Sequence, residues 1–426
     1  MDLAPQDNLS RPSIPVWLQT PRSVYVHIPF CTQRCGYCNF ALITGRDDLV
    51  DRYLDAIEIE LKSQTAAFAQ PIPIDTLFLG GGTPTYLSLP QIDRLFALLQ
   101  KHFQFCDADN HRPFEATAEA NPNDLSHQKV EHFAQHRINR FSVGAQSFQA
   151  KKLKCLERSH SASDIQDAAE VIHRAGAALS LDLIFAAPDE SLVDWESDLS
   201  LAIACHPNHL STYQLTFEKG TQFWNRLKKG RLTETEDDLA LSMYQTAIQI
   251  LTGQGFLHYE ISNFALPNRQ CHHNEAYWTG RSYFSFGPGA ARYVAGDRIV
   301  NHSSTTTYIK KILNQQTDPN TTGSLGNSPM PALSNKNAVG SEVAASEIER
   351  YDVRVRATEY FIFGMRRLCG ISSETFYHET GLGLRELFAP QIAKHVRLGN
   401  LNWNGERLHL TPNGLYISDS IWPDFL

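Results

Sequence analysis

Alternation of apolar and polar positions opens at Ser23-Val24-Tyr25-Val26-His27-Ile28, a β-branched run that predicts a short strand. From 47 to 68 the period changes. Leu49, Tyr53, Leu54, Ile57 and Leu61 recur at helical spacing and predict an amphipathic helix. The exchange repeats down the chain. Strands are predicted within 72–79 and at 114–120, 140–144, 179–185 and 210–217. Helices are predicted between them at 89–103, 124–136, 161–175 and 192–205, with Ser161 and Ser163 as caps. About six strands alternating with helices imply an α/β fold with a parallel sheet and outer helices. Such units curve into a partial or complete barrel, and functional groups then gather at the C-terminal ends of the strands.

The pattern is less regular further on. A helix is predicted at 234–253, followed by a polar and aromatic patch over 258–264 and 271–278. Residues 314–346 turn rich in Asn, Ser, Thr and Gly and bury too little to order themselves, which predicts a disordered linker or insertion. Helices follow at 357–368, 373–379 and 384–398. Asn404-Gly405 between alternating arms predicts a hairpin at 401–410 with a type I′ turn, and Thr411-Pro412 opens a last helix. Helices before a hairpin suggest a winged-helix-like module. The expected division is an arm at 1–20, a barrel core at 21–230, a barrel extension at 231–313, the linker at 314–346 and a C-terminal domain at 347–426.

Composition narrows the classes. The 426 residues are 42% hydrophobic and 20% charged, as in soluble globular proteins. No apolar run approaches the ~18 residues of a membrane span, so an integral membrane protein is not expected. The start of the chain carries no secretory pattern, and the expected location is the cytoplasm. A net charge of −8 argues against a nucleic-acid binder. The C-terminal module has eight basic and eight acidic residues from Tyr351 onward, which makes it a poor DNA reader and suits a lid or partner surface.

Chemistry concentrates just after the first strand. Cys31, Cys35 and Cys38 stand at C-x3-C-x2-C spacing on the loop that leaves it. Three thiolates on one short loop can hold three irons of a [4Fe–4S] cube and leave the fourth iron open. An open iron can be chelated by the amino and carboxylate groups of S-adenosylmethionine. Structural zinc fits less well, because no second pair follows at ribbon spacing. Gly80-Gly81-Gly82-Thr83 follows the second strand, where bare N–H groups would approach an amino-acid moiety. Glu119 lies late in the third strand, Gln146 after the fourth, Arg158 before a helix and Asp182 in the fifth strand. Each alone reads equally as a cap or surface group; their shared placement sets them apart. His273 sits among aromatics in His273-Asn274-Glu275-Ala276-Tyr277-Trp278, which suits either a planar macrocycle or a packed core.

Together these stretches resemble the HemN/HemW group of radical S-adenosylmethionine proteins from about Tyr25 to the C-terminus, linker excepted. The marks are Tyr-Val-His-Ile-Pro-Phe-Cys, Gly-Gly-Gly-Thr-Pro-Thr, Glu-Ala-Asn-Pro, Ser-Val-Gly-Ala-Gln-Ser-Phe, Asp-Leu-Ile-Phe and Tyr-Glu-Ile-Ser-Asn-Phe-Ala. The resemblance implies a partial (β/α)6 barrel with a small helical, winged-helix-like C-terminal domain. It implies Cys31, Cys35 and Cys38 as cluster ligands. It implies Tyr25, Tyr37, Gly81, Gly82, Thr83, Glu119, Gln146, Arg158 and Asp182 as contacts to S-adenosylmethionine. Some of those positions contact a second S-adenosylmethionine in oxidase relatives. The group divides by function. Its oxidase branch, oxygen-independent coproporphyrinogen III oxidase, resembles C-x3-C-x2-C-x-C. Here the last position is Phe40. Its haem-chaperone branch resembles Cys38-Asn39-Phe40 and carries the His-Asn-x-x-Tyr-Trp stretch. That branch implies haem binding, with His273 as haem candidate, and delivery to haem-acceptor proteins, membrane-bound respiratory proteins among them. The chain departs from its relatives in two places. Ala186-Ala187-Pro188 replaces a glycine-containing turn, and Ala291 stands where relatives often have histidine, removing any haem ligand from that position.

Overall fold

The computed structural model describes residues 14–107, 113–314 and 342–426. Six strands follow the predicted order: β1 (Ser23–Ile28), β2 (Thr76–Gly81), β3 (Glu115–Ala120), β4 (Arg140–Gln146), β5 (Ala178–Phe185) and β6 (His209–Gln214). Each pairs in parallel with the next. Val24, Val26, Leu77, Leu79, Ala116, Ala118, Leu179 and Leu181 are all buried; they stand at alternate positions and share one core with the outer helices, while the other face carries the polar and aromatic residues. Outside lie α1 (Val50–Gln64), α2 (Leu89–His102), α3 (His127–Gln135), α4 (Ala150–Cys155), α5 (Ala162–Arg174) and α6 (Leu192–Ala204). The stripe on α1 does what its spacing predicts, since Tyr53, Leu54, Ile57 and Leu61 are fully buried. Ser161 caps α5 and closes a capping box with Asp164.

Several short elements were not foreseen. Helix α4 is one of them, and α7 (Gln222–Lys228) is another, ahead of the expected α8 (Asp237–Gly253). Beyond β6 the sheet continues antiparallel through β7 (Leu257–Glu260) and β8 (Asn263–Ala265). After α9 (His272–Trp278) the chain crosses to the far edge, where β9 (Phe284–Phe286) pairs in parallel with β1. The open sheet therefore reads β7-β8-β6-β5-β4-β3-β2-β1-β9. Helix α9 plugs the N-terminal end of this partial barrel. The backbone N–H groups of His272 and His273 donate to the Glu115 carboxylate at the start of β3, at 3.0 and 2.9 Å.

Four expectations need correction. The segment 72–79 is two strands: Ile72–Ile74 leaves to pair with Phe103–Phe105, and β2 starts only at Thr76. The helix expected from 124 starts at His127, because Pro122–Asp124 forms a 3-10 turn and Ser126 is the cap. The arm expected at 1–20 is docked at its inner end, since Val16 N donates to Glu379 Oε2 (2.7 Å) and Trp17 Nε1 to the Glu379 carbonyl (3.1 Å). The linker expectation falls largely on residues outside those described, but its end is ordered. In the sheet that follows β9, β10 (Ala291–Val294) pairs with β11 (Asp297–Asn301), and β12 (Ala345–Arg350) pairs with β11 after α10 (Thr305–Asn314).

The C-terminal domain has a core of its own, built on Phe361, Phe376, Phe388, Trp422 and Phe425. It comprises α11 (Val353–Gly364), α12 (Ser373–Thr380), α13 (Leu384–Arg397), a hairpin of β13 (Leu401–Trp403) and β14 (Arg407–Leu410), and α14 (Pro412–Tyr416). The hairpin is present, but its turn is not type I′. Only Gly405 has positive φ, and Asn404 Oδ1 instead accepts from the N–H groups of Glu406 and Arg407 at 3.1 and 2.8 Å.

Candidate functional site

The three cysteines face one cavity of about 1050 Å³ at the C-terminal ends of the strands. It is as large as the roomiest small-molecule pockets, which run from ~300 to ~1,000 Å³. Cys31 and Cys35 are buried at its floor and Cys38 is half-buried. Burial pushes the Cys31 thiol up to about 11 and raises Cys38 as well, and a thiolate at Cys35 or Cys38 raises Cys31 further. Binding an iron cluster would therefore have to draw off protons that burial holds on these thiols.

The loop is clamped from three sides. Arg34 donates to the carbonyls of Cys38 (3.3 Å) and Leu42 (2.8 Å) and so ties the loop to itself. Gln33 Nε2 donates to the Glu157 carbonyl. Helix α7 closes the third side: Phe223 N donates to the Gly36 carbonyl at 2.9 Å, and the Phe223 ring lies where a Cβ on Gly36 would be, 2.5 Å away. Only glycine fits at 36.

Around the thiols a polar relay connects the strand ends. Thr83 Oγ1 lies 3.1 Å from Cys31 Sγ and accepts from Asn121 Nδ2 at 3.1 Å. Arg158 Nη1 points at Cys35 Sγ (3.5 Å), while Nη2 donates to Asn121 Oδ1 (2.7 Å) and the Gly144 carbonyl (3.0 Å). Arg158 Nε is buried with no partner among the described residues. A cationic fork beside the thiols, with donor capacity to spare, suits the carboxylate of an amino-acid group. Glu119, Gln146 and Asp182 line the same cavity, as do Tyr37, Gly81 and Gly82. Burial raises the Glu119 carboxyl to about 7 and Asp182 above its usual range. Asp182 accepts from Ser142 Oγ at 3.1 Å. Gln146 takes positive φ (62°) as β4 ends, which turns the chain over the cavity.

Sequence reasoning gave the glycine run a role the structure does not bear out. Its N–H groups are already used. Gly81 N donates to Glu119 Oε2 (2.8 Å), Gly82 N to the Ile28 carbonyl (2.8 Å) and Thr83 N to the Phe30 carbonyl (2.8 Å). The glycines continue β2 beside β1, and their bareness serves packing. A Cβ on Gly81, at φ +106°, would sit 2.4 Å from the His27 ring, and one on Gly82 would be 2.8 Å from three backbone atoms.

Tyr25 and His273 lie apart from the thiols. Tyr25 Oη shares a hydrogen bond with His27 Nδ1 (3.0 Å) inside the barrel. His273 is 1% exposed, with Nδ1 on Thr76 Oγ1 (2.9 Å) and Nε2 on Tyr277 Oη (2.8 Å). Burial lowers its pKa to about 3. The cavity it lines beside Tyr25 and Glu119 measures about 190 Å³, too small for a macrocycle. The expectation of His273 as a haem ligand is therefore corrected: Nδ1 ties the α9 plug to Thr76 of β2, and Nε2 is taken by Tyr277 of the same helix. Asn121, by contrast, was missed as a site residue. It joins Thr83 to Arg158, and its signal was its position directly after β3, before Pro122.

Comparison with known proteins adds the family. Residues 25–202 match the Radical SAM superfamily and residues 351–417 the HemN C-terminal domain. Over 412 residues the chain is 30% identical to the protein named heme chaperone HemW of Lactococcus lactis, covering 96% of this chain and 98% of that one. The chain belongs to the HemW family of radical S-adenosylmethionine proteins. The HemW of Bacillus subtilis is 31% identical over 95% of this chain and 99% of its own. The coproporphyrinogen III oxidase HemN of Escherichia coli shares the fold, with a TM-score of 0.78 over 95% of this chain and 90% of that one, at 21% identity. A protein of this superfamily takes a [4Fe–4S] cluster and S-adenosylmethionine as cofactors. The donor set fits both: three thiols on one loop, no sulfur at Phe40, and the spare donor of Arg158. Among the described residues no helix is long and apolar enough to cross a membrane.

Proposed function

We propose that the protein is a haem chaperone, which binds haem and passes it to acceptor proteins. The observation that carries this reading is Phe40. It stands 59% exposed where the oxidase pattern has a fourth cysteine, in a chain that matches HemW proteins from end to end. In this reading Cys31, Cys35 and Cys38 hold three irons. Arg158 holds the carboxylate of S-adenosylmethionine, and Glu119, Gln146 and Asp182 accept from its ammonium and hydroxyl groups. Tyr37 walls the site, and Gly81, Gly82 and Thr83 fix the floor on which the cofactor rests. Tyr25 acts from beneath, through His27. A bound cluster supplies single electrons at its open iron. The residues here exclude water from it and orient its ligand. The protein works in the cytoplasm, and its acceptors include membrane-bound respiratory haem proteins.

The test is transfer. Cluster-loaded protein carrying one equivalent of haem is mixed with a haem-free respiratory acceptor in membranes, with an excess of apomyoglobin to trap free haem. The reading expects acceptor activity to return despite the trap. Capture of all the haem by apomyoglobin, with the acceptor still inactive, would contradict it.

A further inference from the structure

We propose that the haem site is a second cavity of about 790 Å³, formed where the barrel extension, the N-terminal segment and the C-terminal domain meet. The proposal rests on the chaperone reading and says where the cargo sits.

The walls suit a flat, mostly apolar ligand. Trp278, Tyr283, Tyr293, Tyr360 and Phe363 line the space. They are arranged as a set, with Tyr283 and Tyr293 ring centroids 6.2 Å apart and Trp278 and Phe363 6.3 Å apart. Tyr360 lies against the backbone at Gly280, where a Cβ would meet its ring at 2.6 Å. Aromatic faces at such spacings bury large apolar area and offer edges and faces to a macrocycle.

The rim suits carboxylates. Arg281, Arg298 and Arg356 line the same cavity. Arg281 is exposed and forms no ion pair among the described residues. Arg356 is held rigidly, its guanidinium 4.0 Å from the Trp17 ring and 2.6 Å from where a Cβ on Gly296 would stand. Arg298 is already bonded to Glu349 at 2.8 Å. Glu359 is the one carboxylate on the lining among the described residues, and burial raises its pKa despite a bond to Tyr351. The balance is positive. It repels the sulfonium and ammonium of S-adenosylmethionine and attracts a dianion such as the paired propionates of haem.

The position also suits the cargo. Asn39 and Phe40 line both this cavity and the cysteine cavity, so one short stretch of the cluster loop forms their shared wall. The only histidine on the lining among the described residues, His27, has its nitrogens engaged by Tyr25 Oη (3.0 Å) and the Ala41 carbonyl (2.6 Å). The haem is therefore held by walls and rim, not by a fixed imidazole, which is suited to a cargo that must leave.

The test is haemin titration of cluster-loaded full-length protein, followed in the Soret region. Arg281→Glu reverses an exposed rim charge, and Ala291→Trp fills the cavity from β10. The expected result is that each weakens haem binding by about tenfold or more, a loss the size of one desolvated ion pair, with circular dichroism and iron content unchanged. Ala291→His, which brings an imidazole to the lining, is expected to tighten binding and shift the Soret band. If the wild type binds haem and both Arg281→Glu and Ala291→Trp bind it equally well, the site is elsewhere and the chaperone reading stands. If the wild type binds no haem, both fall.

Discussion

At the scale of single residues, burial and hydrogen bonding separate groups that the sequence presents alike. Glu119 and His273 both stand in family motifs. Glu119 faces the cofactor cavity with its carboxyl raised to about 7. Between its ordinary value of 4.5 and that value, the folded protein holds a proton that the unfolded chain has released. The cofactor-free protein should then lose stability as pH rises from about 4.5 to 7 and level off above. Water in the open cavity screens part of this shift, so the loss is about 1–2 kcal/mol. Glu119→Gln should flatten this part of the profile of thermal midpoint against pH. An unaltered profile would show that Glu119 does not carry the shift. His273 gives the opposite expectation. Removing it leaves Thr76 and Tyr277 without partners, so His273→Ala should cost about 1–3 kcal/mol in denaturant unfolding. The Soret spectrum of bound haem should not change. A changed iron ligation spectrum would restore His273 as a ligand.

At the scale of elements, what was legible depended on length and on locality. Strands such as 178–185 declare themselves by apolar residues at alternate positions, here Leu179, Leu181, Leu183 and Phe185, and α1 and α5 by stripe and cap. The helix α7 has seven residues and too little length to show a stripe. Strand β9 has three residues and pairs with β1 from about 260 positions away, which no local pattern encodes. The glycine run was read as a cradle for an amino-acid moiety because glycine frees the backbone. The fold decided otherwise: Glu119 takes the Gly81 N–H, and the Ile28 and Phe30 carbonyls take those of Gly82 and Thr83. The cysteine loop was fully legible, and its clamp was not, because Phe223 reaches Gly36 only through the fold. Phe223 is fully buried, and Phe223→Ala should cost about 3–5 kcal/mol. Its sharper effect should be on the loop. Iron retained after anaerobic desalting should fall, while far-ultraviolet circular dichroism stays native-like. Full retention of iron would mean that α7 is no clamp.

At the scale of the molecule, the C-terminal domain is more than a cover. Leu415, Tyr416, Ile417, Ser418 and Asp419 wall the cysteine cavity, and α11 walls the aromatic one. The domain is tied to the barrel by Ile261 N to the Arg366 carbonyl (3.2 Å) and Leu368 N to the Tyr259 carbonyl (3.1 Å). Its balanced charge was readable, but its part in two cavities was not, because that follows from docking. The fold is shared with an oxidase, so the fold alone does not decide between decarboxylating a porphyrinogen and carrying haem. Position 40 does. The most direct test is an anaerobic assay of cluster-loaded protein with coproporphyrinogen III, S-adenosylmethionine and a reductant, quantifying protoporphyrinogen and 5′-deoxyadenosine together. The account predicts no protoporphyrinogen, even where some 5′-deoxyadenosine attests a competent cluster. Protoporphyrinogen formed over many turnovers would contradict it and make Phe40 a neutral replacement for the fourth cysteine.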